Sequence, residues 1–216
     1  MSIEQQISNI KNEILDKADL IAVSKTRSLK EIKEAYNSGQ LKFGENRVQE
    51  IVDKQSKLPD DIEWHMIGHL QKNKVKYIAG FINLIHSLDR ISLAKEIDRQ
   101  AKKEDRIIDC LIQIKISKED SKFGLKIEDF SDFHKSLETF QNLNIIGLMG
   151  MATFTSDIEV IDEEFKMIKR VYDDAASINP NFRVLSIGMS DDYNIAIKNG
   201  SNMIRVGSKI FGKRNY

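Results

Sequence analysis

The sequence predicts an α/β protein: a single compact (β/α)8 TIM barrel over residues 1–216, with an additional helix at the N-terminus. Three observations predict it. Short apolar runs alternate with longer amphipathic ones along the chain, which is the signature of strand–helix units in a parallel sheet. The strand-like runs number eight, which favours a closed barrel over an open doubly wound sheet, the alternative with the same alternation. Only two prolines and no low-complexity stretch interrupt the pattern, so nothing marks an internal boundary.

Each element can be justified in order. Ile3, Ile7, Ile10 and Ile14 recur at helical spacing and predict a helix at about residues 2–17. A chain of 216 residues lies near the lower end for this barrel, so the last helix must be short or missing, and the N-terminal helix covers the surface left bare. The first strand is read at 20–25 (LIAVSK). Ser28 and Glu31 form a capping box that opens the next helix, and Gly39 closes it. Further strands are read at 42–45 (KFGE), 63–67 (EWHMI), 84–88 (LIHSL), 109–116 (DCLIQIKI), 144–151 (NIIGLMGM), 183–188 (RVLSIG) and 202–206 (NMIRV). Ile91, Ala94, Ile97 and Ala101 give one buried face to a helix at 90–104; Ile161, Phe165, Ile168, Tyr172 and Ala175 do the same at 159–177.

Composition narrows the function. Lys plus Arg and Asp plus Glu balance at 33 each, which leaves no global electrostatic reason to expect nucleic acid or an anionic membrane and room only for a local anion site. The polar N-terminus lacks a signal-peptide core, and no run approaches the roughly 18 apolar residues of a membrane span. A cytosolic protein is expected. Its single cysteine, Cys110, cannot form an internal disulfide and reads as a small core residue.

In such a barrel the chemistry sits at the C-terminal ends of the strands, and the unexpected polar residues cluster there. Lys25 ends the first strand, Glu45 and Asn46 the second, and Ser87 and Asp89 the fourth. Ser190 follows the seventh and Gly207-Ser208 the eighth. A lysine at a strand exit either snorkels into water or serves as a reactive amine. Gly188-Met189-Ser190 and Gly207-Ser208 either make tight turns or cradle a phosphate, whose usual site in this fold is these two loops. Arg205 places a permanent charge among apolar neighbours, so it requires a partner: a structural carboxylate or a ligand atom. A reactive lysine, a phosphate site and an inward arginine together fit a ligand with an aldehyde, a phosphate and an acceptor atom. Pyridoxal 5′-phosphate carries all three, and an arginine at its ring nitrogen would make it a weak electron sink.

The blocks "AVSKT", "FGENRVQE", "WHMIGHLQKNK", "HSLD", "SKFGL", "GLMGM" and "SIGMSDDYNIAIKNGSNMIRVGSKIFG" occur in order over nearly the whole chain. In them the sequence resembles the pyridoxal phosphate homeostasis proteins, fold type III barrels similar to the cofactor domain of alanine racemase. The resemblance implies that Lys25 is the Schiff-base lysine and that Asn46 lies beside the cofactor. It further implies that Arg205 meets the ring nitrogen, that Ser190, Gly207 and Ser208 cradle the phosphate, and that Met149 lines the ring pocket. It implies a monomer without catalytic residues or metal, which holds the cofactor and buffers or delivers it, with apo forms of cofactor-dependent enzymes as recipients. The chain departs from the family pattern at Ser28, where a proline is common, and at Lys115, where an asparagine is common.

Other signals are weaker. His65 and His69 are four apart but fall in and beyond a strand, with no catalytic glutamate between them, so a metal site is not expected. "QKNKVKYI" reads as a solvated helix face, Trp64 and Phe123 as packing residues, and Asp191 and Asp192 as an N-cap and first-turn acid. The rival functions are a fold type III amino-acid racemase or decarboxylase and a Schiff-base aldolase acting on a sugar phosphate. The first is disfavoured because the chain stops nine residues after "RVG", with spare acid or base candidates confined chiefly to His69 and Tyr193. The second leaves Arg205 unexplained.

Overall fold

The computed structural model describes residues 1–117, 119 and 123–212. Its centre is a closed barrel of eight parallel strands in chain order: β1 (Asp19–Val23), β2 (Lys42–Glu45), β3 (Glu63–Met66), β4 (Leu84–Leu88), β5 (Ile108–Ile114), β6 (Leu143–Gly150), β7 (Val184–Ser186) and β8 (Met203–Val206). β8 returns to β1 with Leu20 opposite Ile204 and Ala22 opposite Val206, which closes the sheet. The TIM-barrel expectation is met, and each strand expected from sequence overlaps an observed one.

Among the described residues eight α-helices accompany the strands: α1 (Ile3–Ile14), α2 (Leu29–Asn37), α3 (Val48–Gln55), α4 (Ile91–Lys103), α5 (Phe130–Leu137), α6 (Ile158–Ile178), α7 (Tyr193–Lys198) and α8 (Ser208–Phe211). Helix α1 buries Ile7, Ile10 and Ile14 and ends at Leu15, whose φ of 48° turns the chain left-handed before the predicted end at residue 17. The Ser28–Glu31 capping box is present, and Gly39 follows the helix at φ +84°. Helix α8 is four residues long, as barrel size required. The lysines of "QKNKVKYI" lie within a 3-10 helix (Lys72–Tyr77) that buries only Val75, instead of an α-helix.

Strand alternation sorts the side chains into two layers. Leu20, Ala22, Phe43, Trp64, Met66, Ile85, Cys110, Ile112, Ile204 and Val206 face the helices and join the main core. Ile21, Leu84, Leu111, Met149 and Met203 pack together as a separate cluster inside the barrel. Burial at Cys110 pushes its thiol well above the usual range, so it is an inert core residue. No helix among the described residues is long and apolar enough to cross a membrane.

Candidate functional site

At the C-terminal ends of the strands lies a cleft of about 360 Å³, within the range of small-molecule sites, on the order of 300–1,000 Å³. Lys25, Asn46, Ser190, Arg205, Gly207 and Ser208 all line it, although they come from strand ends far apart in sequence. Ile21 and Val23 face the barrel interior, and Lys25 continues their period beyond the strand, which ends at Val23 rather than at the lysine. The strand ends there because Thr26 adopts φ +65° and turns the chain.

Met149 is a correction. It is fully buried in the interior cluster and does not line the cleft; Met151, two residues on and on the same face, does. The strand was read on the correct face but one layer too deep.

Arg205 is buried and forms the floor of the cleft. Its Nη1 donates to Ser186 O and Ser186 Oγ, both at 2.7 Å, and its Nη2 donates to Gly150 O at 2.9 Å. Among the described residues no carboxylate forms an ion pair with it within 4.0 Å. Burial lowers its pKa to about 10, opposed by the charge of Asp192. A guanidinium has five N–H donors, so these three bonds leave capacity for an acceptor in the cleft.

Behind Arg205 runs a polar line that sequence reading missed. Ser186 Oγ contacts His86 Nδ1 at 3.2 Å, and His86 Nε2 contacts His65 Nδ1 at 3.0 Å. Alternation on β3, β4 and β7 was the available signal, since it places His65, His86 and Ser186 on the interior face. Among the described residues no group of three or more His, Cys, Asp or Glu is placed to hold a metal ion.

Facing Arg205, the loops after β7 and β8 form a cradle. Gly188 turns at φ +96°, where a Cβ would meet Ala196 Cβ at 2.6 Å. The Gly207 N–H donates to Ser190 Oγ at 3.2 Å and ties the two loops together. A Cβ on Gly207 would press on Val23 at 3.3 Å, so the bare backbone is what lets this loop close against β1. Asp192 is the N-cap of α7 by position, but its carboxylate accepts from the Met189 N–H within the loop and makes no cap bond to the helix. The acid therefore shapes the cradle, which corrects its reading as a plain helix cap; Asp191 lines the cleft.

At the rim, His69 stacks on Phe123 with ring centroids 4.1 Å apart, and its Nδ1 lies 3.9 Å from Asp89 Oδ2. Phe123 thus lines the cleft instead of packing in a core, whereas Trp64 is buried beside Phe43. Tyr193, the other spare acid or base candidate, is buried with its hydroxyl donating to Glu13, and burial raises its pKa. Lys115 lies just beyond β5. Ser121 and Lys122 of "SKFGL" lie outside the described residues.

These residues fit pyridoxal phosphate: an amine at one wall, a buried arginine with spare donors at the floor, and two glycine loops joined through a serine. A family model described as alanine racemase, N-terminal domain, matches residues 1–215. The chain is 38% identical over 201 residues to a pyridoxal phosphate homeostasis protein of Aquifex aeolicus, covering 92% of this chain and 88% of that one. It is 36% identical to one from Pasteurella multocida, covering 100% and 99%. Among solved structures, PipY of Synechococcus elongatus without PLP superimposes with a TM-score of 0.92 at 33% identity, covering 98% of this chain and all of that one. The same protein with PLP bound gives a TM-score of 0.89 at 32% identity, over 98% of this chain and all of that one. Alanine racemase of Clostridium difficile shares the fold, with a TM-score of 0.81 at 14% identity over all of this chain and 56% of that one. The match of nearly the whole chain to the family model and to these relatives shows that it belongs to the pyridoxal phosphate homeostasis proteins, within the alanine racemase N-terminal domain family.

Proposed function

We propose that this protein binds pyridoxal 5′-phosphate in the barrel cleft and serves its homeostasis in the cytosol as a single-domain, monomeric, non-catalytic carrier. The observation that carries the reading is the convergence of Lys25, Arg205 and the Ser190–Gly207 pair on one cleft. The relatives named for this role, and PipY with PLP bound, support it.

When bound, the cofactor supplies an aldehyde with which a lysine amine can condense, losing water. Lys25 is the amine for that bond. Ser190, Gly207 and Ser208 bind the phosphate through hydroxyl and backbone donors. Asn46 flanks the ring, together with Met151 in place of Met149. Arg205 donates to the ring nitrogen and, because it cannot give up a proton at neutral pH, keeps that nitrogen unprotonated. A ring so held withdraws electrons weakly, which favours storage of the aldehyde over carbanion chemistry. Apo forms of cofactor-dependent enzymes are the recipients.

The test is an absorption spectrum of the purified protein, then borohydride reduction and peptide mass mapping. A pyridoxyl label on Lys25 is expected. A colourless protein that fails to take up added pyridoxal phosphate would overturn the binding. Sustained, Lys25-dependent exchange of an amino acid's α-hydrogen would overturn the non-catalytic part.

A further inference from the structure

The two residues that flank Lys25 are both gripped by one cluster of charged side chains on β2 and α3. On the N-terminal side, Lys54 Nζ donates to Ser24 O at 2.9 Å and to Glu45 Oε1 at 2.7 Å, while Ser24 Oγ donates to that same Glu45 oxygen at 2.6 Å. On the C-terminal side, the Thr26 N–H donates to Glu50 Oε2 at 2.8 Å, and Lys54 Nζ donates to that oxygen at 3.1 Å. One ammonium therefore joins both anchors of the turn.

The turn needs holding. Thr26 sits at φ +65°, a region that a β-branched side chain rarely adopts. The cluster is also costly in its own right: Glu45 is fully buried, the Lys54 side chain is 7% exposed, and Glu45 Oε2 has no hydrogen-bond partner among the described residues. Burying an ion pair seldom adds net stability, and an orphaned buried oxygen subtracts from it. Such a cluster is better explained by the geometry it imposes.

We infer that Lys54, with Glu45 and Glu50, is a positioning clamp that holds the Ser24–Thr26 backbone in its left-handed turn and so aims Lys25 into the cleft. None of the three acts on a ligand: Glu45, Glu50 and Lys54 all lie outside the cleft lining. The consequence for ligand capture rests on the proposed binding of pyridoxal phosphate; the clamp itself does not.

Two readouts separate them. In the protein without cofactor, amide hydrogen exchange at Thr26 reports the clamp directly. Lys54→Met, which keeps the stem and removes the charge, is expected to speed that exchange about tenfold or more. With cofactor, the rate of borohydride-trappable labelling at Lys25 is expected to fall by about tenfold or more, because displacement of a reacting group by about 1 Å can cost on the order of a hundredfold. Adding Thr26→Gly to Lys54→Met is expected to restore the labelling rate, since glycine adopts φ +65° unaided. Glu50→Gln, at a partly exposed position, provides the same comparison if Lys54→Met does not fold. Lower thermal stability with unchanged exchange at Thr26, unchanged labelling in Lys54→Met, or slowed labelling that glycine does not restore, would overturn the clamp. If the wild-type protein takes up no cofactor, the binding proposal fails while the exchange measurement still decides the clamp.

Discussion

Arg205 can only donate hydrogen bonds, so Ser186 Oγ accepts from its guanidinium. Each contact behind it, Ser186 Oγ with His86 Nδ1 and His86 Nε2 with His65 Nδ1, needs one donor and one acceptor, which neutral imidazoles supply. A doubly protonated His86 beside a doubly protonated His65 would set two N–H groups against each other at the His86–His65 contact. Burial drives both pKa values down, His65 to about 3 with the Lys42 charge adding to the effect, and His86 well below its usual value with His65 and Arg205 adding. In the unfolded chain both return to about 6.5. Between those values the unfolded state binds more protons, so the contribution to stability is complete above about pH 6.5 and is lost as pH falls toward 3. His65 contributes a slope of roughly 1.4 kcal/mol per pH unit in that window, and His86 adds in the same direction. His65→Gln keeps an acceptor for His86 and removes one titration. Its unfolding free energy is expected to fall less steeply than the wild type's in urea titrations from about pH 7 to 4; parallel slopes would mean that folding leaves the proton affinity of His65 unchanged.

At the scale of the element, β6 contains the tightest backbone approach. Its register with β5 slips between Cys110, opposite Ile145, and Leu111, opposite Gly147, which marks a bulge at Ile146. A Cβ on Gly147 would lie 1.7 Å from Val184 O on the neighbouring β7, and that atom is backbone with no freedom to rotate away. Gly147→Ala is therefore expected to cost at least about 3 kcal/mol, the upper part of the range for overpacking, measured as a lower denaturation midpoint. A loss under about 1 kcal/mol would mean that β7 moves aside. The bulge also shows what could be read without coordinates. Strand number, order and parallel sense were legible because alternation and capping residues such as Ser28 and Glu31 are local signals. The bulge was not, since "NIIGLMGM" reads as one uninterrupted strand, and the depth of Met149 against Met151 depends on the register that it sets. Lys25, Arg205 and the glycine loops were legible because they are unusual residues in their local context. Lys54 was not: a lysine on an amphipathic helix looks solvated, and only the packing of α3 on β2 shows that it is buried. Thr26 gave no warning either, because a left-handed threonine is dictated by its tertiary anchors.

For the whole molecule, the N-terminal helix substitutes for the surface that a longer α8 would have supplied. Helix α1 packs against α2 and α8, and Glu13 and Lys209 meet at the hydroxyl of Tyr193, the first residue of α7. The helix thus buttresses the segment that begins at Ser208, on the edge of the cleft. Ile10 is 2% exposed and is the middle residue of the buried face. Truncating a buried isoleucine to alanine costs about 2–5 kcal/mol, a large part of the roughly 5–15 kcal/mol that keeps a domain folded. Ile10→Ala is accordingly expected to lower the unfolding free energy by about 2–4 kcal/mol. Cofactor binding acts in the opposite direction: a ligand at a hundred times its Kd adds about 2.7 kcal/mol if it binds only the folded state. The cradle is tied internally by the bond from Gly207 N–H to Ser190 Oγ, away from the buried face of α1. The increment from pyridoxal phosphate, each protein being held at a hundred times the wild-type Kd, is therefore expected to match in the wild type and in Ile10→Ala. A variant that gains less than about 1 kcal/mol under those conditions has lost affinity. That result would show that the first helix shapes the phosphate loops as well as covering the barrel.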